Sequence, residues 1–193
     1  MKFRIISALL LLASLFIAGC DNSASTPGVK TTTALLSVEA IAADAKGFTV
    51  GSPMSARTVY VFFDAQCPHC SALWYAAKPL KSQAKFVWIP VGILNAASTS
   101  QGATILAAAD PAAAMEAHEA SMMSKGGGIS ATSGADAQKD AIKKNTEMMT
   151  AFGFASIPTI VAKHAQTGEL VKQEGAMPTA ALASFLGLQV PAQ

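Results

Sequence analysis

Cysteine is scarce in this chain: three occur among 193 residues, at positions 20, 67 and 70. Three are too few for a disulfide-stapled scaffold, yet two stand too close together to be incidental. Charge is sparse as well, at 13% of residues, with 14 basic against 12 acidic side chains. Lys2 and Arg4 belong to a segment read below as a cleaved leader, which leaves twelve charges of each sign. A near-neutral chain carries no basic footprint for nucleic acid and no polybasic stretch for anionic lipid. The apolar run from Ile5 to Ala18 has 14 residues, short of the roughly 20 that a spanning helix needs. No internal repeat is visible. What the chain does have is apolar mass, 51% of residues, enough at this length for one compact domain with a full core and too much for general disorder.

Residues 1–19 have a charged start, the apolar run and then small residues, which is the layout of a secretory signal. The run ends Ile17-Ala18-Gly19-Cys20, which resembles the lipobox of bacterial lipoproteins. That resemblance implies cleavage before Cys20, lipidation of its sulfur and attachment to a membrane. Asp21 resembles the residue that retains such lipoproteins in the inner membrane. Residues 20–34 then form a polar, Ser/Thr-rich tether. Its 13 residues from Asp21 to Thr33 span on the order of 20 Å as a random coil.

The folded part is expected over residues 35–193. Apolar residues at Leu35, Val38, Ile41, Ala42 and Ala45 fit a short amphipathic helix ended by Gly47. Phe48 to Val50 reads as a short strand. The unbroken β-branched and aromatic run Thr58 to Phe63 reads as a central strand buried on both faces. A helix follows Cys67-Pro68-His69-Cys70 and extends to about Ala84, then a second buried strand covers Phe86 to Val91. Together these make a right-handed βαβ unit. Residues 96–152 show no strand; Ala103–Ala109, Pro111–Met123 and Ala137–Phe152 are helix-like, with Asp110 as cap before Pro111. Thr159–Ala162 and Glu169–Lys172 read as a hairpin around Thr167-Gly168, and Pro178 opens a last helix to Leu186. The fold class is therefore α/β with a helical block inserted in the middle.

The chemistry lies in Cys67-Pro68-His69-Cys70. At a strand-to-helix junction Cys67 meets the unpaired N–H groups and dipole of the helix N-terminus, which favour a thiolate. The thiolate is the nucleophile of thiol–disulfide exchange, so Cys67 is the attacking residue and Cys70, one turn along, the resolving one. Pro68 suits the first helical turn, and His69 adds a donor and partial positive charge beside the sulfur. Thiols in such pairs titrate between about 3.5 and 7. A shift of 3 units favours the ionised, reduced form by about 4 kcal/mol, or something like 90 mV in potential. A structural disulfide across so short a loop would constrain little of the unfolded chain. A resident metal would need ligands beyond Cys67, His69 and Cys70, so neither a metal nor another cofactor is expected. His118 and His164 are lone histidines, expected on a solvated helix face or at a strand end. Pro158, in Ser156-Ile157-Pro158-Thr159, needs no more than a strand-start position.

Several stretches in the same order resemble the thioredoxin-fold periplasmic Dsb proteins, and more narrowly the DsbC/DsbG branch, from about Ser37 to Leu188. They are VYVFFDAQCPHC with Asp64 three before the first cysteine, VWIPVGIL, Ala103 to Ala114, and Glu119-Ala120-Ser121. The resemblance implies a thioredoxin-like fold whose helical insertion lies between the CxxC-bearing βαβ unit and the hairpin. It also implies that Pro158 is a cis-proline facing the cysteines, with Ile157 beside it where substrate binds. The chain departs from the family pattern at several points. The dimerisation domain of that branch is missing before the first helix, which predicts a monomer. Ile157 replaces the usual Thr, and the CPHC dipeptide is that of the oxidant DsbA. Val61 stands where thioredoxin and DsbA keep a buried acid, so proton handling at Cys70 must go another way.

The expected activity is thiol–disulfide exchange on reactive cysteines of exported proteins, in the periplasm, by a domain tethered to the inner membrane. A DsbG-like reductase served by a membrane partner resembling DsbD is favoured over a DsbA-like oxidase served by one resembling DsbB. A copper or zinc carrier using Cys67, His69 and Cys70, and a holdase chaperone with dispensable cysteines, are the alternatives outside redox enzymes.

Overall fold

The computed structural model describes residues 34–192. The expected signal segment, Cys20 and the tether as far as Thr33 lie outside them. In chain order the elements are α1 (Val38–Asp44), β1 (Phe48–Gly51), β2 (Thr58–Asp64), α2 (Pro68–Ala77), a 3-10 turn (Lys78–Leu80), β3 (Lys85–Val91), α3 (Ala96–Ala107), α4 (Pro111–Met123), α5 (Asp136–Ala151), β4 (Thr159–Lys163), β5 (Leu170–Glu174) and α6 (Thr179–Leu186). Among the described residues, no helix is long and apolar enough to cross a membrane.

The strands form one sheet in the order β1-β3-β2-β4-β5. β2 and β3 are parallel, joined by the α2 crossover, and Val61 lies opposite Trp88 in their register. β1, β4 and β5 are antiparallel to their neighbours. The central position of β2 explains why its residues from Val59 to Asp64 are all buried. Side chains alternate across a strand, so Val59, Val61 and Phe63 enter one core with Leu73, Trp74, Trp88, Ile160, Leu182 and Leu186. Tyr60 and Phe62 enter the opposite one with Ile41, Ile89, Met149, Phe154 and Val161. α2 and α6 cover the first face, α1 and α5 the second.

The first face holds the cysteine-bearing helix in place. Trp74 of α2 meets Trp88 of β3 edge-on at 5.0 Å, and Trp88 meets Phe63 of β2 at 5.7 Å. Such pairs add about 0.5–1.5 kcal/mol each beyond the area they bury. On the second face Asn145 of α5, wholly buried, accepts from Lys46 N–H at 2.9 Å and donates to the carbonyls of Lys46 and Pro90 at 2.7 and 2.9 Å. The insertion is thereby tied to the sheet.

The expected βαβ unit, strandless insertion and final hairpin are all present, with shifts at several element ends, among them the first helix, which begins at Val38 behind the Ser37 cap rather than at Leu35. α2 stops at Ala77 because Pro79 supplies no N–H, and the chain tightens into the 3-10 turn rather than continuing to Ala84. α3 begins at Ala96 rather than at Ala103, since Asn95 and Ser98 form a reciprocal capping box. β5 runs past Lys172 to Glu174, whose residue pairs with Thr159.

Candidate active site

Cys67 is the N-cap of α2, and Pro68 occupies its first turn. The cap is made by sulfur: the Cys70 backbone N–H donates to Cys67 Sγ at 3.4 Å. Both thiols are free, and both residues are buried, Cys67 to 6% exposure and Cys70 completely. Pro68 and His69 sit on the exposed outer rim of the turn. Across from the cysteines the Ile157–Pro158 peptide is cis, and the Ile157 carbonyl oxygen lies 4.0 Å from Cys67 Sγ. The structure thus brings Cys67, Cys70, Ile157 and Pro158 to one place from segments ninety residues apart.

The two thiols are driven in opposite directions. A hydrogen bond from the Cys70 thiol holds Cys67 down at about 6, helped by the backbone N–H groups of Cys70 and His69 and by the charge of His69, against the penalty of burial. Burial, the bond to Cys67 and the charge of that neighbour push the Cys70 thiol far up. Such a pair holds one proton between two sulfurs, so it offers a ready nucleophile and a resolving thiol that must be deprotonated in turn.

Three further residues build the surroundings. Asp64, fully buried at the end of β2, accepts from the N–H groups of Gln66 at 2.8 Å, Ile93 at 2.8 Å and Leu94 at 3.1 Å. One carboxyl therefore fixes both the approach to Cys67 and the loop after β3, whose Ile93 and Leu94 side chains remain exposed. His118 of α4 is also fully buried, contrary to the expected solvated helix face. Its Nδ1 accepts from Ile129 N–H at 3.2 Å, so Nε2 carries the hydrogen and donates to the Ala65 carbonyl at 2.6 Å. Burial makes its protonation harder despite that carbonyl and Asp64. Glu119, next along α4, is 1% exposed, and its Oε2 has no hydrogen-bond partner. His164 follows the end of β4, half-buried, as expected of a strand end.

Helical phase could have revealed the α4 residues. Met115, His118, Glu119 and Met122 follow the i, i+3, i+4, i+7 spacing of a buried face, and Met115 is itself buried. Among the described residues no three His, Cys, Asp or Glu side chains gather as metal ligands.

Residues 52–189 match the model of the family described as thioredoxin-like domain. Over 137 residues the chain is 34% identical to the thiol:disulfide interchange protein DsbG of Pseudomonas aeruginosa, covering 68% of this chain and 51% of that protein. The chain therefore spans about half the length of this relative. Among solved structures, a periplasmic thioredoxin-like protein from Salmonella enterica serovar Typhimurium superposes with a TM-score of 0.60 at 17% identity, over 80% of this chain and 97% of that one. The catalytic domain of Proteus mirabilis ScsC gives a TM-score of 0.57, also at 17% identity, over 77% and 96% of the two chains. These two likenesses carry the fold.

Proposed function

The chain belongs to the thioredoxin-like domain family, and from that premise we propose that it is a periplasmic thiol–disulfide oxidoreductase acting on cysteines of exported proteins. The observation that carries this reading is the cap of α2: a buried Cys67 sulfur that accepts the Cys70 backbone N–H at 3.4 Å, an arrangement that, with the Cys70 thiol beside it, favours the Cys67 thiolate. In the reductive direction the Cys67 thiolate attacks a substrate disulfide, one substrate sulfur leaves, and a mixed disulfide forms. Cys70 then loses its proton and attacks Cys67 Sγ, closing the Cys67–Cys70 disulfide and releasing the second substrate sulfur. Two electrons pass from the pair to the substrate.

Pro68 and His69 tune the thiolate in this reading, while Ile157 and Pro158 present an extended substrate segment to Cys67. The Ile157 carbonyl facing the sulfur and the exposed Ile93 and Leu94 on the neighbouring loop support that placement. A DsbG-like reductase is the favoured direction, supported by the match to the Pseudomonas aeruginosa protein named DsbG. Its electron donor would be a membrane protein resembling DsbD, within reach of a domain lipidated at Cys20 and working as a monomer on the inner membrane. Ile157 and the CPHC dipeptide favour the second reading, a DsbA-like oxidase recharged by a protein resembling DsbB.

Thiol alkylation in intact cells separates the two. Predominantly free Cys67 and Cys70 at steady state is the outcome for the reductase, and a predominantly oxidised pair overturns it in favour of the oxidase. Loss of exchange activity in Cys67→Ser is expected in either case; retained activity would overturn the whole reading.

A further inference from the structure

Reduction of a protein disulfide by this pair leaves a proton to be found. The product is two thiols, which need two protons, yet with Cys67 ionised the cysteines carry one, on Cys70. A buried acid on β2 would be the ordinary place to look, but Val61 packs there in an apolar core. Asp64 already accepts three backbone N–H groups.

Glu119 has neither difficulty. It lies on the buried face of α4, which is pinned against the cysteine-bearing segment on both sides. On one side Glu116 accepts from Trp74 Nε1 at 2.9 Å and from Lys78 Nζ at 2.6 Å. On the other, His118 donates to the Ala65 carbonyl, two residues before Cys67. Glu119 stands between these anchors, close enough to α2 for the Ser71 side chain to interact with its carboxyl. Its orphaned Oε2 is the unusual feature, because a buried carboxylate normally gathers donors. A protonated carboxyl can occupy such a site at far lower cost.

We propose that Glu119 is a positioning residue that holds a proton beside Cys67 in the reduced protein and gives it up when Cys67 enters the disulfide. The step balances: Cys67 thiolate, Cys70 thiol, Glu119 carboxylic acid and a substrate disulfide become the Cys67–Cys70 disulfide, Glu119 carboxylate and two substrate thiols. Two electrons and two protons move to the substrate, and the negative charge moves from Cys67 to Glu119. The reverse reaction applies to an oxidase. The inference rests on Cys67 and Cys70 being the redox pair, whichever direction prevails.

The surrounding charges are consistent with this. Burial pushes Glu119 up to about 7; the Cys67 thiolate and Glu116 add to it, while Ser71 and Lys78 oppose it. Tyr75 of α2 feels the Glu119 charge in return, and His118 beside it is kept neutral by burial. Removing the Cys67 charge on oxidation removes one of the influences that raise Glu119.

The test is the number of protons released when the reduced full chain is oxidised by ferricyanide, which takes electrons without protons. Near pH 7, where Glu119 titrates, the wild type is expected to release a further fraction of a proton per disulfide, up to about half, beyond Glu119→Gln, which should release close to one. Equal release from two proteins that both form the disulfide overturns the role of Glu119. Failure of the wild type to form the disulfide overturns the redox-pair reading instead. Should Glu119→Gln not fold, Ser71→Ala serves: losing the hydroxyl should move the extra proton step to higher pH, and an unmoved step counts against the proposal.

Discussion

His118 Nε2 lies 2.6 Å from the carbonyl oxygen of Ala65, which joins the helical insertion to the segment leading into Cys67. The ring is fully buried, and Ile129 N–H caps its other nitrogen at 3.2 Å. His118→Leu would leave that carbonyl and that N–H without partners, at a cost of about 2–4 kcal/mol in denaturant unfolding. Acid should act in the same direction. The folded protein binds the imidazole proton less readily than the unfolded chain, whose histidine titrates near 6.5. As pH falls below that value the unfolded state takes up more protons, so stability is lost. Glu119, raised to about 7, contributes with the opposite sign over the same range, so the test is the difference between the two profiles: the stability advantage of the wild type over His118→Leu should shrink as pH falls below about 6.5.

Gly128 presses on the same ring. Its φ is +91°, and a Cβ there would collide with His118 Cε1. Gly128→Ala should therefore destabilise the protein by about 1–3 kcal/mol through backbone strain and displacement of the histidine. An undiminished midpoint of unfolding would show that the loop yields freely.

Cys67 should lose its low titration point more through its neighbour's sulfur than through His69. Cys70→Ala removes the principal hydrogen bond and should raise Cys67 well above about 6, with His69→Ala raising it less. Thiolate absorbance followed against pH measures both, and the reverse ranking would mean that His69 dominates.

The contrast between these residues shows where the sequence was readable. Val59 to Phe63 declared a strand buried on both sides because no polar residue interrupts the run. Cys67 and Pro68 declared a helix start because strand and helix patterns meet there. Both are signals within a few adjacent residues. Asp64 could be noticed only through family resemblance, since its partners at Ile93 and Leu94 are 29 and 30 residues away. His118 reads as solvated because it is a polar side chain on an alanine-rich helix; its phase with Met115 and Met122 is the one local sign of burial, and the group it packs against, Ala65, is fifty-three residues back. The Asn95 cap gives a weak sequence signal, because its box closes with Ser98 rather than the usual Glu or Gln. The charge exchange between Glu119 and Cys67 depends on α4 docking against α2, which no local pattern records.

Asp64→Asn keeps the shape of the side chain but turns an amide N–H toward backbone donors. With three such bonds at stake in a wholly buried site, the loss should reach about 2 kcal/mol or more. Hydrogen exchange at Ile93 and Leu94 should quicken in the folded protein; unchanged protection there would mean that Asp64 does not hold the loop.

The division of labour between the two sulfurs can be read from a trapped intermediate. Cys70→Ser, mixed with a disulfide-bonded protein substrate, should accumulate a mixed disulfide that mass spectrometry maps to Cys67. Cys67→Ser should trap nothing through Cys70, because that sulfur is fully buried and strongly protonated. Equal trapping through Cys70 in the Cys67→Ser variant, or no adduct on Cys67 in its counterpart, would contradict the assignment of Cys67 as the attacking thiolate.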